Sequence, residues 1–169
     1  MTTGGKFNNI SGGVCSTALA LLDKRVPNIT VLTGDDMPEA LAIMWELRRR
    51  GYRVMALSSF IAGYPTYWDY VRGENLKAFY RSCSDKAKQR HLDYFYRTIG
   101  PVAVRVGLTV GEEARAAVFR DRDWVSYSFP LIEAGMSRED CLMLCHSQGL
   151  YPVKSGCVHC PKQPGGSGV

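Results

Sequence analysis

Asn9-Ile10-Ser11-Gly12-Gly13-Val14-Cys15-Ser16-Thr17 decides how this chain folds, and the small, apolar run Ala18-Leu19-Ala20-Leu21-Leu22 follows it directly. Two adjacent glycines between an extended segment and a helix-forming run let the main chain turn sharply. They also bring its N–H groups against a ligand that a side chain would hold off. The helix then starts at the turn, where unpaired N–H groups and the positive dipole end seat phosphate, with Ser11, Ser16 and Thr17 as hydroxyl donors. An ordinary glycine-rich strand-to-helix turn is the competing reading of the same residues.

Ser11-Gly12-Gly13-Val14-Cys15-Ser16 resembles the SGGxDS pyrophosphate loop of the PP-loop superfamily, the adenine nucleotide alpha hydrolases, which includes N-type ATP pyrophosphatases and phosphoadenosine phosphosulfate reductases. The resemblance implies an adenine nucleotide held by Ser11, Gly12, Gly13, Val14, Cys15, Ser16 and Thr17. One position departs, since Cys15 stands where the family has Asp. A carboxylate there would help to handle magnesium or orient phosphate, so the change bears on cleavage more than on binding.

Outward from the loop, Lys6 to Ile10 is expected as the first strand and Ser16 to about Lys24 as the first helix, ending near Pro27. Ile29-Thr30-Val31-Leu32 is β-branched and short, like a strand buried in a parallel sheet. It runs into Thr33-Gly34-Asp35-Asp36. A second helix is expected with Asp36 as N-cap and Pro38 in the first turn, running to Arg50 before Gly51, with Leu41, Met44, Trp45 and Leu47 inward. Tyr52 to Leu57 forms the third strand, and Ser58 to Tyr67 a loop. Further on come a helix from Ser84 to about Arg97, with Leu92 and Phe95 inward, and a strand from Val102 to Leu108. The sequence next offers a helix opening at Glu112, a last strand from Trp124 to Phe129, and a helix from Arg138 to about Gln148. Ser137 caps that final helix, with Asp140 three residues on.

Alternating strands and helices of this kind argue for one α/β domain, a mostly parallel twisted sheet with helices on both faces and its ligand site beyond the carboxyl ends of the strands. The domain is expected over residues 1–163, with 164–169 a flexible, glycine-rich tail. The chain has 169 residues, 46% of them hydrophobic and 22% charged, which suits a globular domain and argues against disorder. Its formal charge of +5 favours an anionic partner, and nucleotides and RNA both qualify. No leader and no long apolar run is visible, so a cytoplasmic location and no membrane partner are expected.

Six cysteines in such a chain read as metal ligands or redox groups before disulfides. Cys157 and Cys160 form a CxxC between Gly156 and Pro161, which is half a zinc site, half an iron–sulfur site or a redox pair. Its place near the chain's end speaks against the redox pair. Cys83 lies just ahead of an expected helix start, where a thiolate is stabilised. Cys145, His146 or His159 is left as a fourth ligand, although Cys141 and Cys145, four apart in one helix, suit an inward stripe equally well. Arg81-Ser82-Cys83 resembles the segment that pairs with a distal CxxC to hold a 4Fe–4S cluster in assimilatory reductases of the superfamily, which carry two adjacent cysteines there. Phe129-Pro130-Leu131-Ile132-Glu133 through Cys160-Pro161 resembles the ending of phage and bacterial reductase-like members. Gly107-Leu108 through Arg115 is similar to another of their segments.

What the resemblance implies is an ATP-dependent sulfur-transfer enzyme that adenylates its acceptor and releases pyrophosphate. In that reading Asp35 or Asp36 binds magnesium, Arg115 neutralises the leaving pyrophosphate, and Cys83, Cys157 and Cys160, with Cys145 as a candidate fourth ligand, hold the cluster or a zinc ion. Cys15 is a secondary candidate as sulfur carrier. Reduction of an adenylylated sulfate is the alternative, opposed by the lack of an ECG-x-H-like motif after Cys160; a nucleotide- and metal-binding regulator without catalysis is the third reading. A nucleic-acid acceptor would rest on Arg48-Arg49-Arg50, Arg53 and the basic face near Lys86, and the subunit number is left open, a homodimer among the options.

Overall fold

The computed structural model describes residues 4–59, 64, 66–73 and 88–158. Its sheet has five strands: β1 (Gly4–Asn9), β2 (Asn28–Leu32), β3 (Val54–Ser58), β4 (Val102–Val106) and β5 (Val125–Ser128). They lie in the order β3-β2-β1-β4-β5, and every neighbouring pair is parallel. The chain steps outward from β1 to β2 and β3, then returns to lay β4 on the other side of β1 and β5 beyond it. The order therefore reverses between β1 and β4, and the crevice outside their carboxyl ends is where such sheets bind ligands. The expected α/β fold with a parallel sheet is the one observed.

The helices among the described residues are α1 (Val14–Leu22), α2 (Pro38–Arg49), α3 (Tyr67–Gly73), α4 (Arg90–Ile99), α5 (Glu113–Ala116), α6 (Pro130–Glu133) and α7 (Arg138–Ser147). On one face of the sheet Val14, Ala18 and Leu19 of α1 pack with Ile43, Met44 and Leu47 of α2, Leu131 of α6, and Cys141 and Cys145 of α7. On the other, Leu92 and Tyr96 of α4 cover Phe7, Ile29, Val31, Val102, Val104 and Val125. Ala18, Leu19 and Ala20 are all fully buried, because α1 is pressed between the sheet and α7, and its small residues permit that approach.

Asn8 and Asn28 are both fully buried in adjacent strands, in direct register. The Asn8 side-chain amide donates to Asn28 Oδ1 at 3.0 Å, and Asn28 donates to the Arg53 carbonyl at 3.1 Å, so these amides join three segments of the chain inside the sheet. Ser137 caps α7 as expected: its hydroxyl accepts from the Asp140 N–H at 3.1 Å, while the Asp140 carboxylate accepts from the Ser137 N–H at 2.8 Å.

Several expectations are corrected. Trp45 is 66% exposed, since the buried stripe of α2 runs through Ala40, Ile43, Met44 and Leu47, and the ring instead lies under the Arg48 guanidinium. Met37, not Asp36, occupies the N-cap position of α2. The loop expected to Tyr67 gives way to α3, which Thr66 caps by accepting from the Asp69 N–H at 3.0 Å, with Tyr67 and Val71 buried. The expected helix from Ser84 is described only as α4, because 74–87 lie outside the described residues, as does the tail 164–169.

Candidate phosphate-binding site

The exits of β1 and β4 and the chain after α7 enclose a cavity of about 450 Å³. Ser11, Gly13, Val14, Cys15 and Ser16 form one wall, Gly107 to Glu112 with Arg115 the second, and Arg138, Lys154 and Ser155 the third. Gly12 has φ +74, and a Cβ there would meet the Ala40 carbonyl oxygen at 2.3 Å; a Cβ on Gly13 would meet Ser155 Oγ at 2.8 Å. The paired glycines are thus required by α2 on one side and by the C-terminal segment on the other.

Ser16 fixes the loop: its hydroxyl accepts from the Ser11 N–H at 3.1 Å and donates to the Gly13 carbonyl at 3.0 Å. Ser11 Oγ in turn meets Ser155 Oγ at 2.9 Å. The first helical hydrogen bond of α1 runs from the Thr17 N–H to the Gly13 carbonyl, leaving the N–H groups of Val14, Cys15 and Ser16 open at the helix end. Thr17, expected as a phosphate donor, is instead 1% exposed in the core, and neither Thr17 nor Gly12 lines the cavity.

Across the cavity, Thr109 donates to Glu112 Oε2 from both its N–H at 3.1 Å and its hydroxyl at 3.2 Å, and Glu112 pairs with Arg115. Burial pushes the Glu112 carboxyl up, but the Thr109 N–H and the Arg115 guanidinium more than offset it and hold it below the ordinary range. The cavity walls bring together the cations Arg115, Arg138 and Lys154. Arg138, Lys154, Ser155, Thr109 and Glu112 were not singled out as site residues from the sequence. For Arg138 a signal existed, because a cation in the first turn of a helix opposes the dipole and needs another use.

Cys15 sits between these walls, half-buried, with Arg138 Nη1 4.0 Å from its sulfur. The hydrogen bond donated by the Cys141 thiol lowers its pKa to about 6; burial and Glu112 oppose that shift, and Arg138 assists it. The same bond, with burial, raises the Cys141 thiol. Cys145 is fully buried, its thiol pushed up to about 11 by burial and facing the Val14 carbonyl at 3.7 Å, so it packs as a core thiol.

Asp35 and Asp36 do not line this cavity. The Asp36 carboxylate accepts from the Thr33 N–H at 2.6 Å and hydroxyl at 3.1 Å and pairs with Lys88 at 3.1 Å, while Asp35 Oδ2 accepts from the Trp68 N–H at 2.9 Å at the start of α3. Their main chain carries the C-terminal segment. Asp36 bridges Cys157 in antiparallel fashion, the Val158 N–H donates to the Asp35 carbonyl at 2.8 Å, and the Met37 N–H donates to the Gly156 carbonyl at 3.1 Å. Cys157 Sγ lies 3.7 Å from Thr33 Oγ1. Cys83, Cys160, His159 and Lys86 lie outside the described residues, and among the described residues no three His, Cys, Asp or Glu side chains converge to hold a metal ion. Of the basic residues at the end of α2 and just after it, Arg49 and Arg50 both pair with Glu46 at 2.7 Å, and Arg53 donates to the Arg25 carbonyl.

No family model matches the sequence, and no curated protein matches it. Solved structures do match in shape. A phosphoadenylyl-sulfate (PAPS) reductase from Candida auris, solved as a phosphate complex, aligns with a TM-score of 0.69 at 11% identity, over 94% of this chain and 83% of its own. An NMN synthetase from Francisella tularensis aligns with a TM-score of 0.55 at 14% identity, over 88% of this chain and 63% of its own, so the chain spans less than two thirds of that enzyme. No helix among the described residues is long and apolar enough to cross a membrane. With its glycine turn, its reversal of strand order and these two neighbours, the chain shares the parallel α/β fold of the phosphoadenylyl-sulfate reductase and the NMN synthetase.

Proposed function

We propose that this protein binds an adenine nucleotide, with the phosphates seated at the start of α1, and uses it as an enzyme of the PP-loop kind. One observation carries the reading: the open N–H groups of α1 and the side chains of Arg115, Arg138 and Lys154 meet in one cavity at the point where the strand order reverses. Main-chain donors would hold the equatorial oxygens, and the cations would neutralise charge on a phosphate leaving group. The two structural neighbours, a phosphoadenylyl-sulfate reductase solved with phosphate and an NMN synthetase, support a nucleotide or phosphate ligand.

In this reading binding draws first on the protein's own cations, since Asp35 and Asp36 stand outside the cavity and are engaged by Trp68, Thr33 and Lys88. That favours a sulfonucleotide over the adenylating sulfur transfer expected from sequence, which needs a carboxylate for the metal. Calorimetric titration tests both parts. ATP, pyrophosphate and adenosine 3′-phosphate 5′-phosphosulfate are titrated in EDTA and then in magnesium. Micromolar binding that persists in EDTA is expected; absence of binding by all three ends the reading, and binding only with magnesium restores the adenylating enzyme.

A cluster or zinc ion would take Cys157 from the rim beside Thr33, together with Cys83 and Cys160, and would supply a soft Lewis-acid or sulfur-binding centre there. Iron, sulfide and zinc analysis of protein purified without oxygen distinguishes the two.

A further inference from the structure

The nucleotide reading leaves a second group of sulfurs without a use. Cys15 at the start of α1, and Cys141 and Cys145 on α7, all lie at the packed face of these two helices, and Cys15 alone of the three opens into the cavity. Cys145 faces the Val14 carbonyl, so its sulfur is turned away from a pairing role. Cys141 is fully buried in the core cluster against which Cys15 packs. Arg138, one turn ahead of Cys141 on α7, presents its guanidinium to the same sulfur at 4.0 Å. An accessible sulfur beside a cation, backed by a shielded thiol of the facing helix in the same packed cluster, has the layout of an attacking and a resolving cysteine.

We infer that Cys15 and Cys141 form a peroxide-sensitive dithiol at the wall of the phosphate cavity. The Cys15 thiolate attacks hydrogen peroxide: an S–O bond forms, the O–O bond breaks, and hydroxide leaves. The Cys141 thiol then attacks the resulting sulfenic acid, its proton departs with the hydroxyl as water, and the S–S bond closes. Peroxide is reduced while the two thiols are oxidised, and an external dithiol reverses the change by exchange. The product ties the first turn of α1 to α7 and removes an anionic sulfur from beside Arg138. None of this depends on nucleotide binding.

Peptide mapping tests the inference. Fully reduced, metal-free protein is exposed to equimolar hydrogen peroxide, alkylated and digested. A Cys15–Cys141 cross-linked peptide that disappears with dithiothreitol is expected as the main product. In Cys141→Ser, the sulfenic acid persists on Cys15 and is trapped by dimedone. The proposal is overturned if wild-type Cys15 stays reduced, proceeds to sulfinic acid without a cross-link, or pairs chiefly with Cys83, Cys157 or Cys160; a Cys141→Ser protein whose Cys15 takes up no dimedone counts against it equally. The wild-type map decides the matter even where the variant folds poorly.

Discussion

Arg138 Nη1 stands 4.0 Å from Cys15 Sγ, across the gap between α7 and α1, at the edge of the cavity that Lys154 and Arg115 also line. The contact joins the loop's cysteine to a cation that lines the same cavity. Both groups respond to the same field.

Alkylation of Cys15 should therefore follow an acid-shifted profile. Cys141 and Arg138 of α7 and Glu112 of the β4 exit act on the thiol, and with a pKa of about 6 the thiolate forms as pH rises through 6, well below the ordinary value of about 8.5. The iodoacetamide rate at Cys15 should reach half its maximum near pH 6, and Arg138→Ala should move that midpoint upward. A midpoint at or above 8 in the wild type would contradict the geometry.

Loss of Arg138 or Lys154, both of which line the cavity, should weaken phosphate binding. Charge-assisted hydrogen bonds contribute about 1.5–3 kcal/mol each, so Arg138→Ala and Lys154→Ala should each reduce pyrophosphate affinity by roughly ten- to a hundredfold. Calorimetry at two salt concentrations is the check, with a shallower salt dependence expected in both variants.

Gly12→Ala should destabilise the fold. The positive φ and the 2.3 Å approach of a Cβ to the Ala40 carbonyl oxygen together cost about 2 kcal/mol or more, which corresponds to a fall of roughly 5 °C in Tm for a domain of this size. An unchanged thermal melt would mean that α2 does not press on the loop.

Asp36→Asn should separate a structural from a metal-binding role. The substitution removes the ion pair with Lys88 and weakens the turn at Thr33, a loss of about 1–3 kcal/mol in chemical denaturation, since Asp36 is largely buried. Pyrophosphate affinity in EDTA should stay within about twofold of the wild type. A collapse of affinity confined to magnesium-containing buffer would reassign Asp36 as a metal ligand.

Local chemistry made the parallel α/β architecture, the glycine turn and the Ser137–Asp140 cap readable, because strand runs, Gly-Gly and a capping pair act over a few residues. Reading failed where neighbours in space, distant in sequence, set the outcome. Trp45 satisfies a helical apolar pattern, yet the sheet meets α2 along Ala40, Ile43, Met44 and Leu47, which leaves the indole outside. Asp35 and Asp36 look like free carboxylates at a strand end until Lys88 and Trp68 arrive from elsewhere in the chain.

By itself the sequence determined the β1–turn–α1 unit, since Gly12 and Gly13 admit a backbone path that other residues resist and Ala18 to Leu22 propagate a helix from it. Tertiary structure alone decided who meets at that turn. Lys154 and Ser155 reach the loop because residues 156–158 bridge back to Asp35–Met37, and Arg138 reaches Cys15 because α7 packs on α1. Such meetings depend on burial and chain return across more than a hundred residues, for which no local pattern codes.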